Sequence, residues 1–455
     1  MKNDEIKKIV NRSKDDPVWF IKNVLGVKYL TPQQTELCVS VRDNRRTASP
    51  AGNAVGKTFL AAQLVLWFFF TNEASKVLTT APTWFQVENL LWREIRKSHQ
   101  RSIYPLGGEI TQTQINLSED WFAVGLSTND AIRFQGIHAP RVMIVFDEAT
   151  GISPDFWEAA EGVAVGDNDR FLAIGNPTDP ASRFKSVCDS PLWNVLRLSA
   201  EDHPNVVENK QIVPGAVTKQ WVDERLFEYG GRDTALYRAR VRGLFPEQGS
   251  DMLISLADVE RAQKRWKQPQ GIPVAVGCDV ARFGSDETVF IDIHADGTVA
   301  MPQSFHGNDT MQTAGRLKVS NALKKGLDDA GVGGGVTDRL KELNVAILAY
   351  NGGESANDKE RFLNRRAESW WLIREKLRAD ELSLPPDNKL AADLTGIKYG
   401  YTSRGQIQLE LKSDLKKRIG RSPDRGDALA IALAALHQHV YIFEPKRSTS
   451  RQTYW

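Results

Sequence analysis

The stretch Ala51-Gly52-Asn53-Ala54-Val55-Gly56-Lys57-Thr58 stands directly before an apolar helical pattern over residues 57–70. A glycine-rich turn at a helix start directs several backbone N–H groups toward one point, and the phosphates of a nucleotide need such donors. The lysine of such a loop reaches the outer phosphates, and the hydroxyl after it coordinates Mg²⁺. The stretch therefore predicts an ATP-binding and Mg²⁺-binding loop formed by Gly52, Asn53, Ala54, Val55, Gly56, Lys57 and Thr58.

The loop departs from the GxxxxGK[ST] pattern, because Ala51 occupies the first glycine position and Gly52 follows one place late. A glycine-bearing turn that opens an ordinary helix is the alternative. A second motif favours the nucleotide site: the apolar run 142–146 (VMIVF) ends in Asp147 and Glu148. Asp147 is placed to bind Mg²⁺, and Glu148 is placed to orient and polarise the attacking water. The acidic pair favours ATP hydrolysis over nucleotide binding alone.

Three polar residues outside these motifs are further candidates for the nucleotide site. The apolar run 171–175 leads into Asn176, which is expected beside the γ-phosphate, with Thr178 as the alternative. Gln34 lies about twenty residues before the loop, and its amide can pair with both the donor and the acceptor edge of adenine. Arg133 precedes the acidic strand and is the candidate for stabilising transition-state charge across a subunit interface. Each also has a plainer interpretation as a turn or surface residue.

Composition limits the classes of protein that fit. The 455 residues carry 59 Lys and Arg against 57 Asp and Glu, a net charge of +2 that excludes a uniformly basic DNA-coating protein. The three cysteines are far apart, which argues against a disulfide framework or a zinc site. We find neither a secretory signal nor an apolar run of the ~20 residues that a membrane span needs. We therefore expect an intracellular protein with no membrane partner.

The pattern of elements indicates two domains. Short strand candidates at 76–81, 142–146 and 171–175 alternate with helical patterns, which is typical of a parallel sheet covered by helices. A second series of strands opens at Val274 and continues through tight turns, which predicts an antiparallel meander in a mixed α/β domain. We expect an ATPase domain at residues 1–246 and a linker at 247–270. A second domain is expected at 271–440 and a tail at 441–455.

Five segments together resemble a known family. LTPQQ (30–34), AGNAVGKT (51–58), TTAPTWFQVENLLWREI (79–95), IVFDEA (144–149) and IGNPT (174–178) occur in the order found in the large terminase subunit of tailed bacteriophages. The resemblance implies an α/β protein with an N-terminal P-loop ATPase domain, whose mostly parallel sheet is covered by helices. It also implies a C-terminal ribonuclease H-like mixed α/β nuclease domain.

Nucleases of the ribonuclease H class hold two divalent metals about 4 Å apart with three or four carboxylates. Asp279 at the end of the first meander strand, Asp328, and Asp427 at a helix start resemble the terminase nuclease centre. Asp424 either joins this metal site or caps the helix. Oxygen ligands favour Mg²⁺ or Mn²⁺ over zinc.

Parts of this assignment stay open. The run before Asp328 (NALKKGLDD) lacks the β-branched residues expected of a strand, so Asp329 is the alternative ligand. We interpret Asp286 as a turn residue. A basic strip beside the acids would hold the DNA backbone, unless it is a plain solvated helix face. The strip consists of Lys412, Lys416, Lys417, Arg418, Arg421 and Arg425.

The resemblance implies a viral DNA-packaging motor that uses ATP to translocate double-stranded DNA into a procapsid and cuts concatemeric DNA. Its expected partners are DNA, a portal protein and a small terminase subunit, and its expected location is the host cytoplasm. The near-neutral charge predicts weak DNA binding by one subunit, so we expect assembly into a homo-oligomeric ring. A helicase-like repair or recombination ATPase fused to a resolvase-type nuclease is the alternative, although no second helicase lobe is evident. A capsid or scaffold protein would need no phosphate loop.

Overall fold

The structure is a computed structural model that describes residues 11–126, 137, 139–246, 251–281, 287–402 and 404–437. The chain divides into two compact units. The first consists of Met1–Phe227 with Ala235–Glu247, and the second of Glu228–Thr234 with Gln248–Trp455. In the described ranges, no helix combines the length and the apolar character needed to cross a bilayer.

An eight-stranded sheet forms the centre of the first unit, in the order β3-β4-β5-β2-β6-β7-β1-β8. Its strands are β1 (Arg46–Pro50), β2 (Lys76–Thr80), β3 (Glu109–Ile110), β4 (Gln114–Ser118), β5 (Trp121–Gly125), β6 (Val142–Phe146), β7 (Arg170–Gly175) and β8 (Asn194–Val195). The pairs from β5 to β8 are parallel, and only the pairs β3–β4 and β4–β5 are antiparallel. The sheet is therefore mostly parallel, as the sequence predicts.

Helices surround this sheet. They are α1 (Pro17–Asn23), α2 (Pro32–Asp43), α3 (Lys57–Thr71), α4 (Trp84–Gln86), α5 (Trp92–Gln100), α6 (Pro154–Val163), α7 (Arg183–Asp189), α8 (Pro204–Val207), α9 (Lys219–Glu228) and α10 (Ala235–Arg240). All ten residues from 60 to 69 of α3 are buried, which explains a helix that is apolar on every side. A π-helical turn, Val87–Leu91, connects α4 to α5.

Aromatic packing fixes β6 and β7 against α6. Phe146, the last residue of β6, meets the ring of Trp157 with centroids 4.8 Å apart and that of Phe171 at 4.9 Å. All five residues of β6 are buried, as expected for a central parallel strand covered on both faces. The residue that follows, Asp147, is thus held at the carboxyl edge of a rigid sheet.

The second unit is built on a five-stranded sheet in the order β11-β10-β9-β12-β13. Its strands are β9 (Ala275–Asp279), β10 (Thr288–Ile293), β11 (Gln303–Phe305), β12 (Lys324–Asp328) and β13 (Leu348–Tyr350). The first three pair as the predicted antiparallel meander, and β12 and β13 add in parallel to β9. This is the ribonuclease H-like arrangement, so the predicted fold class is confirmed. A separate two-stranded sheet pairs β14 (Tyr399–Tyr401) with β15 (Ile407–Leu409).

The helices of the second unit are α11 (Leu256–Arg265), α12 (Thr310–Val319), α13 (Gly333–Glu342), α14 (Arg365–Arg378), α15 (Asn388–Gly396), α16 (Lys412–Ile419) and α17 (Asp424–His437). Of these, α17 lies across β9 at close range. A Cβ atom on Gly277 would collide with the backbone of Ala428 and Ala432. The glycine therefore lets the helix that begins at Asp424 approach the strand that ends at Asp279.

The segment expected as a linker, 247–270, differs in the structure, which includes α11 within the second unit. Leu256, Val259 and Ala262 of this helix are buried. The indole Nε1 of Trp266 donates to the carbonyl oxygen of Val299 at 2.8 Å. The turn-forming residues around the helix suggested a linker, whereas its apolar face is packed against the second unit. The expected tail, 441–455, lies outside the described residues.

Candidate active sites

The predicted phosphate loop joins β1 to α3 with the backbone geometry that such a loop needs. Gly56, directly before α3, has φ of +79°, a conformation that favours glycine. A Cβ atom on Gly52 would collide with the carbonyl oxygen of Val241, which explains why glycine is required one place later than the pattern has it. The N–H groups of Gly52 and Asn53 donate to the protein backbone. Donors for phosphates are thus expected from the loop nearer α3.

Lys57 connects the loop to both of the following strand ends. Its Nζ lies 3.1 Å from Oδ1 of Asn176 and 3.2 Å from Oε1 of Glu148. Asn176 also donates from Nδ2 to the carbonyl oxygen of Ala51 at 2.7 Å. Thr178, the alternative to Asn176, is buried, and its N–H donates to the carbonyl oxygen of Asn176 at 2.9 Å. The structure thus brings Lys57, Glu148 and Asn176 together.

Thr58 and Asp147 form the second contact between the loop and the acidic strand. The hydroxyl Oγ1 of Thr58 donates to Oδ2 of Asp147 at 2.9 Å. Burial, reinforced by the neighbouring charge of Glu148, raises the pKa of Asp147 to about 7, although Lys57 and Thr58 oppose the shift. A hydroxyl and a buried carboxylate at this separation are the oxygen donors that Mg²⁺ prefers, so the residues present fit the predicted ion.

Glu148 holds an unusual backbone conformation. Its φ is +50°, in the left-handed region that β-carbon-bearing residues rarely adopt, and a 3₁₀ turn (Ala149–Gly151) follows it. The strained turn directs the side chain back toward Lys57 instead of along the strand. A Cβ atom on Gly175 would lie 2.8 Å from the backbone nitrogen of Ala149, so β7 can approach this turn only because it ends in glycine.

Gln34 contacts the loop itself. Its Oε1 accepts from the N–H of Thr31 at 3.0 Å, and its Nε2 donates to the carbonyl oxygen of Val55 at 3.1 Å. Both polar atoms of the amide thus bind backbone, and the side chain lies under Gly56, where a Cβ would be 2.6 Å from Nε2. Its selection of adenine stays a prediction, as does the role of Arg133, which lies outside the described residues.

In the second unit, three predicted acids meet at one edge of the sheet. Asp279 and Asp328 are the last residues of the adjacent parallel strands β9 and β12, and Asp427 is in the first turn of α17. Burial raises the pKa of Asp279 well above its usual value, and the charges of Asp427, Asp424 and Asp328 add to that shift. Burial also raises the pKa of Asp328. Acids that perturb one another in this way lie close together.

Lys412 is the residue that the sequence did not identify as part of this centre. Its Nζ lies 2.7 Å from Oδ2 of Asp427. Asp427 is the strongest cause of the raised pKa of Lys412, and Asp279 and Asp328 contribute to the same shift. Burial alone would raise the pKa of Asp427, but Lys412 and Arg366 outweigh it and lower that pKa. One ammonium group thus interacts with three carboxylates.

Asp424 and Asp329, the other candidate ligands of this centre, make different contacts. Asp424 accepts from the N–H of Glu287 at 3.3 Å. Asp329 has a buried Oδ1 that makes no hydrogen bond within the described ranges, and its N–H donates to the carbonyl oxygen of Tyr350. The charge of Asp328 helps to raise the pKa of Asp279, which favours Asp328 as the ligand. Asp286 is not among the described residues.

The carboxylates are oxygen donors of the kind that Mg²⁺ and Mn²⁺ bind, and their mutual repulsion would be relieved by a divalent cation. Across the described residues, no group of three or more Asp, Glu, His or Cys side chains is arranged to hold a metal ion as it stands. The donor chemistry therefore fits the predicted metals, while Lys412 contacts one oxygen of Asp427.

Much of the predicted basic strip is committed to ion pairs within the second unit. Arg421 pairs with the fully buried Asp393, and Arg425 pairs with Asp387. Arg418 pairs with Glu410. These three arginines are therefore not a plain solvated helix face, and DNA binding by the strip stays a prediction.

No known protein-family model matches the chain. It is 24% identical over 446 residues to a probable terminase large subunit of Enterobacteria phage P7, covering 91% of this chain and 90% of that protein. The nuclease domain of the large terminase subunit gp2 of bacterial virus Sf6 is 20% identical, with 41% of this chain and 99% of that one covered at a TM-score of 0.36.

Two further solved structures are similar. The large terminase of a thermophilic bacteriophage is 12% identical, with 92% of this chain and 98% of that one covered at a TM-score of 0.39. The large terminase ATPase domain of Thermus phage P74-26 is 16% identical, with 50% and 99% covered at a TM-score of 0.40. The sequence similarity confirms, along nearly the whole chain, the resemblance to large terminase subunits that the motifs indicate.

Proposed function

We propose that this chain is the large subunit of a viral DNA-packaging motor. It hydrolyses ATP to translocate double-stranded DNA into a procapsid, and it cuts concatemeric DNA with a metal-dependent endonuclease. The observation that supports this proposal most is that each of the two compact units contains an acidic centre of its own. The similarity to a terminase large subunit over both units favours packaging over the helicase-like alternative.

In the ATPase centre, the backbone N–H groups at the start of α3 bind the phosphates, and Lys57 contacts the outer one. Thr58 and Asp147 hold Mg²⁺, which supplies charge neutralisation on the phosphates. Glu148 accepts a proton from the attacking water. Asn176 contacts both Lys57 and the loop, so it can transmit the loss of the γ-phosphate to β7.

In the nuclease centre, Asp279, Asp328 and Asp427 hold Mg²⁺ or Mn²⁺, with Asp424 as a further candidate ligand. The metal, when bound, supplies an activated water and stabilises the leaving oxygen. Asp279 and Asp328 are held rigidly by the pairing of their strands, so their carboxylates keep a fixed spacing. Lys412 interacts with all three acids, and it would have to give up its contact with Oδ2 of Asp427 if that oxygen held the cation.

The partners follow from this function. A single subunit of net charge +2 holds DNA weakly, so stable engagement requires a homo-oligomeric ring on the procapsid. A portal protein provides the docking site, and a small terminase subunit selects the packaging site. Arg133 of a neighbouring subunit completes the ATPase centre. The protein acts in the host cytoplasm.

A direct test compares purified protein in three assays. We expect duplex DNA to stimulate ATP hydrolysis, plasmid DNA to be cut when Mn²⁺ is present, and a forked duplex to remain paired. Strand displacement on the fork would instead support the repair or recombination protein. Protein that neither hydrolyses ATP with duplex DNA nor cuts plasmid would contradict both functions.

A further inference from the structure

The two carboxylate oxygens of Asp427 have different partners. Oδ1 accepts from the indole Nε1 of Trp370 at 2.8 Å and lies 3.6 Å from Nε of Arg366. Oδ2 lies 2.7 Å from Nζ of Lys412. The side chain of Asp427 is only 7% exposed, so water has little part in setting its orientation. The carboxylate is therefore held by donors on α14 at one oxygen and by α16 at the other.

Oδ2 is the oxygen of Asp427 that contacts Lys412. Lys412, its partner, also interacts electrostatically with Asp279 and Asp328. Trp370 and Arg366 belong to α14, and Tyr350 at the end of β13 donates from its hydroxyl to Ser369 on that same helix. Oδ1 is thus bound by donors of α14, and Oδ2 contacts the lysine that also interacts with the other two acids.

The position of Trp370 is specified by close packing. Its ring is fully buried and lies against the first turn of α17, where a Cβ atom on Gly426 would collide with it. Trp371, the next residue, has a different environment, because its Nε1 donates to the exposed Glu375 on its own helix at 2.8 Å. The indole of Trp370 therefore contacts Asp427, whereas the adjacent indole of Trp371 contacts Glu375.

We propose that Trp370 is a positioning residue of the nuclease centre, whose indole N–H holds Oδ1 of Asp427 so that Oδ2 is presented to the divalent cation. This inference rests on the proposed nuclease function. A carboxylate fixed by one hydrogen bond loses less rotational freedom when it binds a metal, and such partners of a ligand contribute about 10–100-fold to metal affinity. Trp370 touches neither metal nor DNA.

The test measures Mn²⁺ binding by the full-length, nucleotide-free protein, from the EPR signal of the unbound ion. Trp370→Phe keeps the buried ring and removes the N–H, and Trp371→Phe is the matched control. Mn²⁺ binding at the nuclease centre is the part of the binding that Asp279→Asn abolishes. We expect Trp370→Phe to raise the dissociation constant of that binding by about ten-fold or more. Plasmid cleavage by Trp370→Phe should need correspondingly more Mn²⁺ but reach a maximal rate close to that of wild type. Trp371→Phe should match wild type in both measurements.

Two results separate the failure of this inference from that of the proposed function. Wild-type protein that never cuts plasmid with Mn²⁺ would contradict the nuclease itself. Wild-type protein that cuts, with a Trp370→Phe variant of unchanged Mn²⁺ affinity, would overturn the role of Trp370 and leave the nuclease in place.

Gly426→Ala provides a second variant. The added Cβ would displace the ring of Trp370, and alanine favours the helix more than glycine does. We expect it to weaken Mn²⁺ binding as well. If neither variant folds, wild-type protein with ¹⁵N-labelled tryptophan decides the question. Addition of Mg²⁺ should shift an indole N–H signal, and Mg²⁺ binding without any such shift would overturn the proposal.

Discussion

The two acidic centres balance their charges in different ways. In the first unit, Glu148 has Lys57 as its partner and Asp147 has the hydroxyl of Thr58. In the second unit, Asp279, Asp328 and Asp427 all interact with the one ammonium group of Lys412. Two acids thus interact with Lys57 in the first centre, and three interact with Lys412 in the second.

This difference matches the ligands that the two centres are proposed to bind. An ATPase centre receives an anion together with its Mg²⁺, so a lysine held by a carboxylate is ready to exchange that partner for a phosphate. A two-metal centre receives cations, so its acids repel one another until the metals enter. Burial raises the pKa of Asp279, and the charges of Asp427, Asp424 and Asp328 add to that shift. The predictions below test this contrast.

The largest effect is expected from Asp279→Asn. Loss of a metal ligand removes several kcal/mol of transition-state stabilisation, so Mn²⁺-dependent plasmid cleavage should fall by about a thousand-fold or more. DNA-stimulated ATP hydrolysis should be unchanged. Asp338→Asn, at an exposed acid of α13, is the matched control and should cut normally. Substantial cleavage by Asp279→Asn would remove Asp279 from the centre.

Glu148→Gln tests the first centre in the same way. Without a proton acceptor for the attacking water, ATP hydrolysis should fall by about a hundred-fold or more, while ATP binding measured by fluorescence of a labelled nucleotide persists. The exposed Glu158 of α6 provides the control, because Glu158→Gln should hydrolyse ATP like wild type. Normal turnover by Glu148→Gln would assign the role to another residue.

The contrast also predicts which ligand stabilises which unit. Mn²⁺ alone should stabilise the second unit by about 2.7 kcal/mol at a hundred times its dissociation constant, because it relieves the repulsion among the acids. ATP with Mg²⁺ should stabilise the first unit. Calorimetric melting would measure both effects. Asp279→Asn should lose the stabilisation by Mn²⁺, and Lys57→Ala should lose the stabilisation by ATP with Mg²⁺. If Mn²⁺ still stabilises Asp279→Asn, the cation binds elsewhere.

The smallest effect concerns Gln34. Gln34→Ala removes its hydrogen bonds to Thr31 and Val55, so the first unit should lose about 1 kcal/mol of stability. Denaturant unfolding measures that loss, and ATP and GTP turnover measure base selection. A changed preference between ATP and GTP would support adenine recognition. An unchanged preference with weaker binding of both nucleotides would leave only the support of the loop.

The sequence predicted the features that depend on local signals. The glycine turn before Lys57, the apolar strand before Asp147 and the tight turns of the meander each leave a pattern within about ten residues. The structure has a loop, a strand and a meander at those places. The parallel sheet of the first unit followed from the alternation of strands and helices.

The features that the sequence missed depend on contacts between distant residues. β12 (KKGLD) has only Leu327 as a large apolar residue, and it forms a strand because β9 and β13 pair with it on either side. Lys412 and Trp370 reach Asp427 from two separate helices. The sequence placed Lys412 in a basic strip beside the acids, and no spacing along the chain distinguishes Trp370 from an ordinary core residue. Tertiary packing alone brings them to the acids.

The most direct test of two independent centres measures ATP hydrolysis and plasmid cleavage on the same preparations of wild type, Lys57→Ala and Asp279→Asn. The two centres should fail separately: Lys57→Ala should lose ATP hydrolysis and still cut plasmid with Mn²⁺, and Asp279→Asn should show the reverse. A single substitution that abolishes both activities in a folded protein, or two that abolish neither, would contradict the account.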